Sequence, residues 1–146
     1  MEKLNLPSFP FRIREDQGRK YIFDPLRKKE IVLTPEEWVR QHFIQYLINS
    51  MGYPASLIAL ETGLKYNRIQ KRSDGLVFDR NGQPFMLIEC KAPSVKLDQK
   101  VVQQAATYNQ TLRAPYIVVT NGLSHGCLQC NAEGIKWLAQ LPDFPQ

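Results

Sequence analysis

The chain has 146 residues with 19 Lys and Arg against 14 Asp and Glu, a formal net charge of +5, and 43% hydrophobic residues. That length suits one domain whose core needs no disulfide staple, and no apolar run approaches the ~20 residues that span a bilayer. The N-terminus, Met1-Glu2-Lys3-Leu4-Asn5-Leu6-Pro7, lacks a signal-peptide layout, so a cytoplasmic protein is expected and the Asn109-Gln110-Thr111 sequon carries no meaning.

Residues 10–33 read as short strands. Phe11-Arg12-Ile13-Arg14 and Tyr21-Ile22-Phe23 flank the turn Asp16-Gln17-Gly18, and Glu30-Ile31-Val32-Leu33 is a third candidate. They predict an antiparallel N-terminal extension over 1–33. The segment is basic, with Arg12, Arg14, Arg19, Lys20, Arg27, Lys28 and Lys29; a second cluster follows at Lys65, Arg68, Lys71 and Arg72. Such clusters attract a phosphate backbone, or form solvated faces.

A helix over 35–50 follows. Thr34 is a good N-cap, Pro35 suits the first helical position, and Glu37 completes a capping box. Val39, Phe43, Tyr46, Leu47 and Ser50 share one face, and Gly52 ends the helix. Strands are expected at 56–61 and 67–71, then at 74–78 and 85–91 around Asn81-Gly82, a strong hairpin signal. A second helix is expected over 97–112, a buried strand over 115–120, a strand near 126–130 and a short helix near 133–139. The order describes an α/β domain with a mixed central sheet. His42 and His125 read as ordinary, partly exposed residues.

The hairpin gathers the chemistry. With a two-residue Asn81-Gly82 turn, each cross-strand pair sums to 163, so Asp74 faces Glu89. Opposed residues have Cβ atoms ~5 Å apart on one face. Glu89 and Lys91 are two apart and share that face, while Cys90 points away. Neighbouring Val77, Phe78, Phe85, Leu87 and Ile88 are apolar. Two carboxylates in such surroundings need a cation or a proton. Lys91 supplies one charge. Mg²⁺, with Mn²⁺ as its substitute, suits carboxylate oxygens, and the Cys90 carbonyl is a further candidate ligand. Such an ion polarises a phosphate and activates water, with Lys91 orienting the water or stabilising developing charge. The competing reading is a structural salt bridge, with Asp74 a turn residue.

Arg72-Ser73-Asp74-Gly75-Leu76-Val77-Phe78 followed by Phe85-Met86-Leu87-Ile88-Glu89-Cys90-Lys91-Ala92-Pro93 resembles the PD-(D/E)XK nuclease signature. More narrowly, 33–122 resembles the N-terminal nuclease domain of type I restriction enzyme R subunits. The resemblance takes in Thr34-Pro35-Glu36-Glu37-Trp38-Val39-Arg40-Gln41 and a QxxxY element at Gln104 to Tyr108. Ser73 stands where the superfamily name has proline. The resemblance implies a restriction-endonuclease-like core over 34–122, a Mg²⁺-dependent endonuclease acting on nucleic acid, DNA first, and catalytic positions at Asp74, Glu89 and Lys91. Glu37 matches an acidic helix residue that approaches the metal in such nucleases, although it also serves the capping box. Arg40 pairs with Glu37 or reaches phosphate. Gln104 falls on the inward stripe of the second helix, with Leu97, Val101, Ala105, Tyr108 and Leu112; with Tyr108 it faces nucleic acid or braces the strands. Arg72 joins the nucleic-acid contacts.

The sequence has no GxxxxGK[ST] phosphate loop, so it reads as a stand-alone module, as a homodimer, or as part of a larger restriction or repair complex. Two other readings remain: a nucleic-acid-binding module without turnover, and an accessory subunit of a defence complex. Cys127-Leu128-Gln129-Cys130 is a lone CxxC and reads as two structural thiols, since a zinc site needs four ligands.

Overall fold

A computed structural model describes residues 1–60 and 74–146 in full and, between them, the backbone of 63–66 and 69–72. The expected N-terminal strands form a three-stranded antiparallel sheet of β1 (Ile13–Asp16), β2 (Arg19–Asp24) and β3 (Lys29–Val32). Gln17 and Gly18 both take positive φ, 51° and 79°, which matches the twist of a two-residue hairpin. Strand alternation puts Ile22 and Asp24 inward, both fully buried. Arg14 faces outward and pairs with Glu30 and Asp16. Arg12, Arg19, Lys20, Lys28 and Lys29 are exposed.

Helix α1 (Pro35–Asn49) begins as its cap demands, with the Glu37 N–H donating to Thr34 Oγ1 at 3.0 Å. Val39, Phe43 and Leu47 are buried as expected, but Tyr46 is half-buried and Ser50 exposed. Burial extends well beyond one stripe, to Glu37, Arg40, Gln41 and His42. Arg40 and His42 therefore depart from the expectation of surface positions. The reason is that α1 is covered by the N-terminal segment as well as by the central sheet. The His42 ring sits 4.3 Å from that of Trp38 and 4.7 Å from that of Phe11, and this burial pushes the imidazole below its ordinary pKa.

The stretch expected as a strand at 56–61 opens as a 3-10 turn (Ala55–Leu57) and becomes β4 (Ile58–Leu60); Glu61 lies outside the described residues. The strand expected at 67–71 overlaps β6 (Ile69–Arg72), which pairs with β5 (Gly63–Tyr66); Asn67, Arg68 and Ser73 lie outside the described residues, as do the side chains of Lys65, Lys71 and Arg72.

The central sheet is mixed and six-stranded, in the order β11-β10-β9-β8-β7-β4. It comprises β4, β7 (Gly75–Phe78), β8 (Pro84–Cys90), β9 (Tyr116–Thr120), β10 (His125–Asn131) and β11 (Gly134–Leu138). Only β8 and β9 among them run parallel, and α2 (Gln99–Leu112) forms the crossover between them. The α1 face buries Val77, Met86, Ile88, Cys90, Val118 and Cys127 in one core. The α2 face buries Leu87, Ile117, Val119 and Leu128 with Ala105 in another.

The helix expected near 133–139 is instead β11. Chain reversal occurs at Asn131–Gly134, where Asn131 Oδ1 accepts from the Glu133 N–H at 2.9 Å and Gly134 takes φ 125°. Leu128 then pairs with Trp137 and Cys127 with Leu138. Ile135-Lys136-Trp137-Leu138 is too short to distinguish helical from strand periodicity on its own, and the unpaired edge of β10 decides it. Cys127 packs on the α1 side and Cys130 against the α2 side, so strand alternation directs the two thiols apart.

Candidate metal site and its supporting ion network

The β7–β8 hairpin brings the expected carboxylates together, by a different turn from the one anticipated. The Gly82 N–H donates to the Asp79 carbonyl and the Asp79 N–H to the Gln83 carbonyl, so the loop is longer than Asn81-Gly82 alone. A bulge between Val77 and Phe78 absorbs the offset. Beyond it the pairs are Val77–Met86, Leu76–Leu87 and Gly75–Ile88. That register points Asp74, immediately before β7, at Glu89.

Asp74 is anchored from two directions. Its Oδ2 accepts from the Cys90 N–H at 2.7 Å. The Arg40 guanidinium comes from α1, with Nη1 donating to the Asp74 carbonyl at 3.3 Å and lying 3.7 Å from Oδ1. Lys91 Nζ lies 3.5 Å from Glu89 Oε1. The side chains of Asp74, Glu89 and Lys91 are 15%, 22% and 28% exposed, enough to meet a ligand yet sheltered from bulk water. The group lies at the carboxyl end of β8, where the Lys91 N–H bonds the Thr120 carbonyl of its parallel neighbour. Parallel strand ends are where α/β sheets place their ligands.

Burial dominates the electrostatics of the site. Burial raises the Asp74 carboxyl to a pKa of about 7, and the charges of Glu89 and then Glu36 add to the rise. The Cys90 N–H and Arg40 oppose it without offsetting it. Oxygen donors held in this way fit a hard divalent cation. Among the described residues no group of three or more His, Cys, Asp or Glu side chains is placed to hold a metal ion. The candidate donors are the carboxylates of Asp74 and Glu89.

Glu37 is engaged elsewhere. Its Oε1 accepts from Arg40 Nη2, and its Oε2 accepts from Gln41 Nε2 at 2.8 Å, Arg27 Nη2 at 3.0 Å and Arg40 Nε at 3.2 Å. Arg27 Nε in turn bonds Asp24 Oδ2 at 2.5 Å, and Gln41 donates to the same oxygen at 3.1 Å. Burial pushes the Asp24 carboxyl up, but hydrogen bonds from the Arg27 N–H and guanidinium outweigh it and hold the group below its usual value. Asp24, Gln41 and this role for Arg27 are absent from the sequence-based site. Inward alternation of Ile22 and Asp24 on β2 was the available signal. Glu36, exposed in the first turn of α1, is the helix carboxylate whose field reaches Asp74.

Leu97, just before α2, and Val101, Ala105, Tyr108 and Leu112 on it all pack in the second core. Gln104 does not face inward with them; it is exposed. The buried amide of that helix is Asn109, which clasps the Ala114 carbonyl at 2.9 Å and N–H at 3.0 Å. Tyr108 is half-buried.

Fold and site together define an α/β domain with a restriction-endonuclease-like mixed sheet and paired carboxylates at a strand end. Residues 35–145 match the sequence model of the family described as Type I restriction enzyme R protein N terminus, and the chain belongs to that family. Among solved structures it is similar to a fragment of an HsdR subunit of a type I restriction enzyme from Vibrio vulnificus YJ016. The TM-score is 0.55 at 22% identity, over 76% of this chain and 24% of that chain. This chain thus spans about a quarter of that subunit fragment. No curated protein matches the chain. Among the described residues, no helix is long and apolar enough to cross a membrane.

Proposed function

We infer that this domain is a metal-dependent nuclease of the PD-(D/E)XK type, hydrolysing phosphodiester bonds of nucleic acid, DNA first. The observation that carries the reading is the pairing of Asp74 with Glu89 beside Lys91, in a half-sheltered site where burial and the Glu89 charge raise the Asp74 carboxyl. Membership of the restriction R-protein family supports it. Asp74 and Glu89, with the Cys90 carbonyl, would hold Mg²⁺ or Mn²⁺. The bound ion supplies Lewis-acid polarisation of the phosphate and a more acidic water. The Cys90 N–H fixes the Asp74 carboxylate on the β8 backbone. Lys91, directly after β8, holds its ammonium 3.5 Å from Glu89 Oε1, and in this reading it would orient the attacking water or stabilise charge on the phosphate.

Partners follow from the same reading. Nucleic acid is the substrate, and a larger restriction complex is the setting in which such a domain works. The test is cleavage of labelled DNA by Asp74→Ala, Glu89→Ala and Lys91→Ala variants whose fold is verified by circular dichroism. Each should lose cleavage by at least about 100-fold, as for removal of groups acting on the transition state. Three variants that still cut at the wild-type rate would remove the site assignment.

A further inference from the structure

We propose that Arg40 is a positioning residue for Asp74, with Glu37 as its anchor, rather than a phosphate contact. The proposal rests on the metal-site reading above and extends it to a residue on another element.

The geometry makes the case. Arg40 is buried, with its side chain 8% exposed. One edge of its guanidinium is engaged by both Glu37 oxygens, through Nη2 and Nε. Its Nη1 points the other way, to the Asp74 carbonyl and Oδ1. A planar fork held this way has its direction set by the anchor. Glu37 is itself fixed by Arg27 and Gln41, which are tied to the fully buried Asp24 of β2. A chain of charge-assisted bonds thus runs from the N-terminal sheet through α1 to the Asp74 carbonyl, with the Asp74 carboxylate in ion-pair range of the same guanidinium at 3.7 Å. Asp74 precedes β7 and has no strand pairing of its own; Cys90 N–H and Arg40 hold it instead. Groups that orient a metal-ligating carboxylate in this way typically change metal affinity by about 10–100-fold when lost. A phosphate contact would instead present its donors to solvent.

The test uses the full chain and Mn²⁺ as probe. Mn²⁺ affinity is measured by calorimetry for wild type, Arg40→Lys, Arg40→Gln and the double variant Glu37→Gln/Arg40→Gln. DNA affinity is measured in EDTA across a salt series. Folded Arg40 variants should bind Mn²⁺ about 10-fold or more weakly, with DNA affinity and salt slope unchanged. If Arg40→Gln does not fold because a buried charge is left unpaired, Arg40→Lys and the charge-neutral double variant decide in the same way. Unchanged Mn²⁺ affinity in a folded variant overturns the proposal. So does a loss of DNA affinity with the salt slope reduced by about one, the signature of a lost phosphate contact. Asp74→Ala separates the two levels. If it binds Mn²⁺ as well as wild type, the metal reading itself fails and takes this inference with it; if it loses Mn²⁺ while Arg40 variants keep it, only the positioning role fails.

Discussion

Asp74 bears the largest consequence of any single group at the site. Its folded pKa of about 7 lies above the ordinary value of 3.8, so the metal-free folded state binds more protons than the unfolded chain between those limits. The sign follows from linkage. This contribution is fully present below about pH 4 and is lost as pH rises through about 7. Asp74→Asn keeps an acceptor for the Cys90 N–H but carries no charge. In EDTA it should be more stable than wild type at pH 8, by on the order of a few kcal/mol, with the difference shrinking towards pH 4. Thermal unfolding at stepped pH measures this; parallel profiles for the two proteins would show that Asp74 is not electrostatically stressed. Millimolar Mg²⁺ should raise the wild-type midpoint and leave the variant unmoved, because a ligand of the folded state alone stabilises it by mass action.

The juxtaposition of Asp74, Glu89 and Lys91 was legible in the sequence because strand alternation and hairpin counting are local rules. Even so, the count succeeded through compensation, since a longer turn and a bulge restored the register. Arg40 was not legible as a buried residue. Helix periodicity assigns one buried face, whereas α1 is covered from two sides, by the central sheet and by the N-terminal segment. The inward placement of Gln104 failed for a related reason. At the margin of an apolar stripe, one residue's rotation decides exposure, and Asn109 took the inward position.

Among elements, the N-terminal segment and the β9–β10 connection meet closely at Gly122, whose carbonyl accepts from the Asn5 N–H at 2.7 Å. Gly122 has φ 84°, and a Cβ there would lie 2.7 Å from the buried Leu4 Cδ2 and 3.1 Å from Val39 Cγ2. Gly122→Ala combines backbone strain with overpacking, and should cost about 1–3 kcal/mol in chemical denaturation. A loss below 0.5 kcal/mol, roughly the scatter of neutral substitutions, would mean Leu4 is not seated there. On the other face, Asn109→Ala leaves the Ala114 N–H and carbonyl buried without their clasp, and about 1–3 kcal/mol should be lost. The C-terminal hairpin shows the limit of reading elements by period: Ile135 to Leu138 carries too few residues to reject a helix, and pairing with β10 made it a strand.

At the scale of the molecule, the N-terminal sheet is linked to the site rather than appended to it, through Asp24, Arg27, Glu37 and Arg40. The α/β class and the β8–α2–β9 crossover follow from an order of helices and strands that the sequence displays openly. The buried ion network does not, because its members are scattered from position 24 to 74 and each alone resembles a surface charge.

The proposed nuclease needs Asp74 and Glu89 to hold a divalent cation. Its most direct test is a time course of cleavage on labelled single- and double-stranded DNA and RNA, with Mg²⁺ or Mn²⁺, in parallel with EDTA and with folded Glu89→Ala. Product that requires the cation and disappears with the substitution is the predicted result. Product that persists in EDTA or in Glu89→Ala, or no product from a wild-type protein that also fails to bind Mn²⁺, would contradict it.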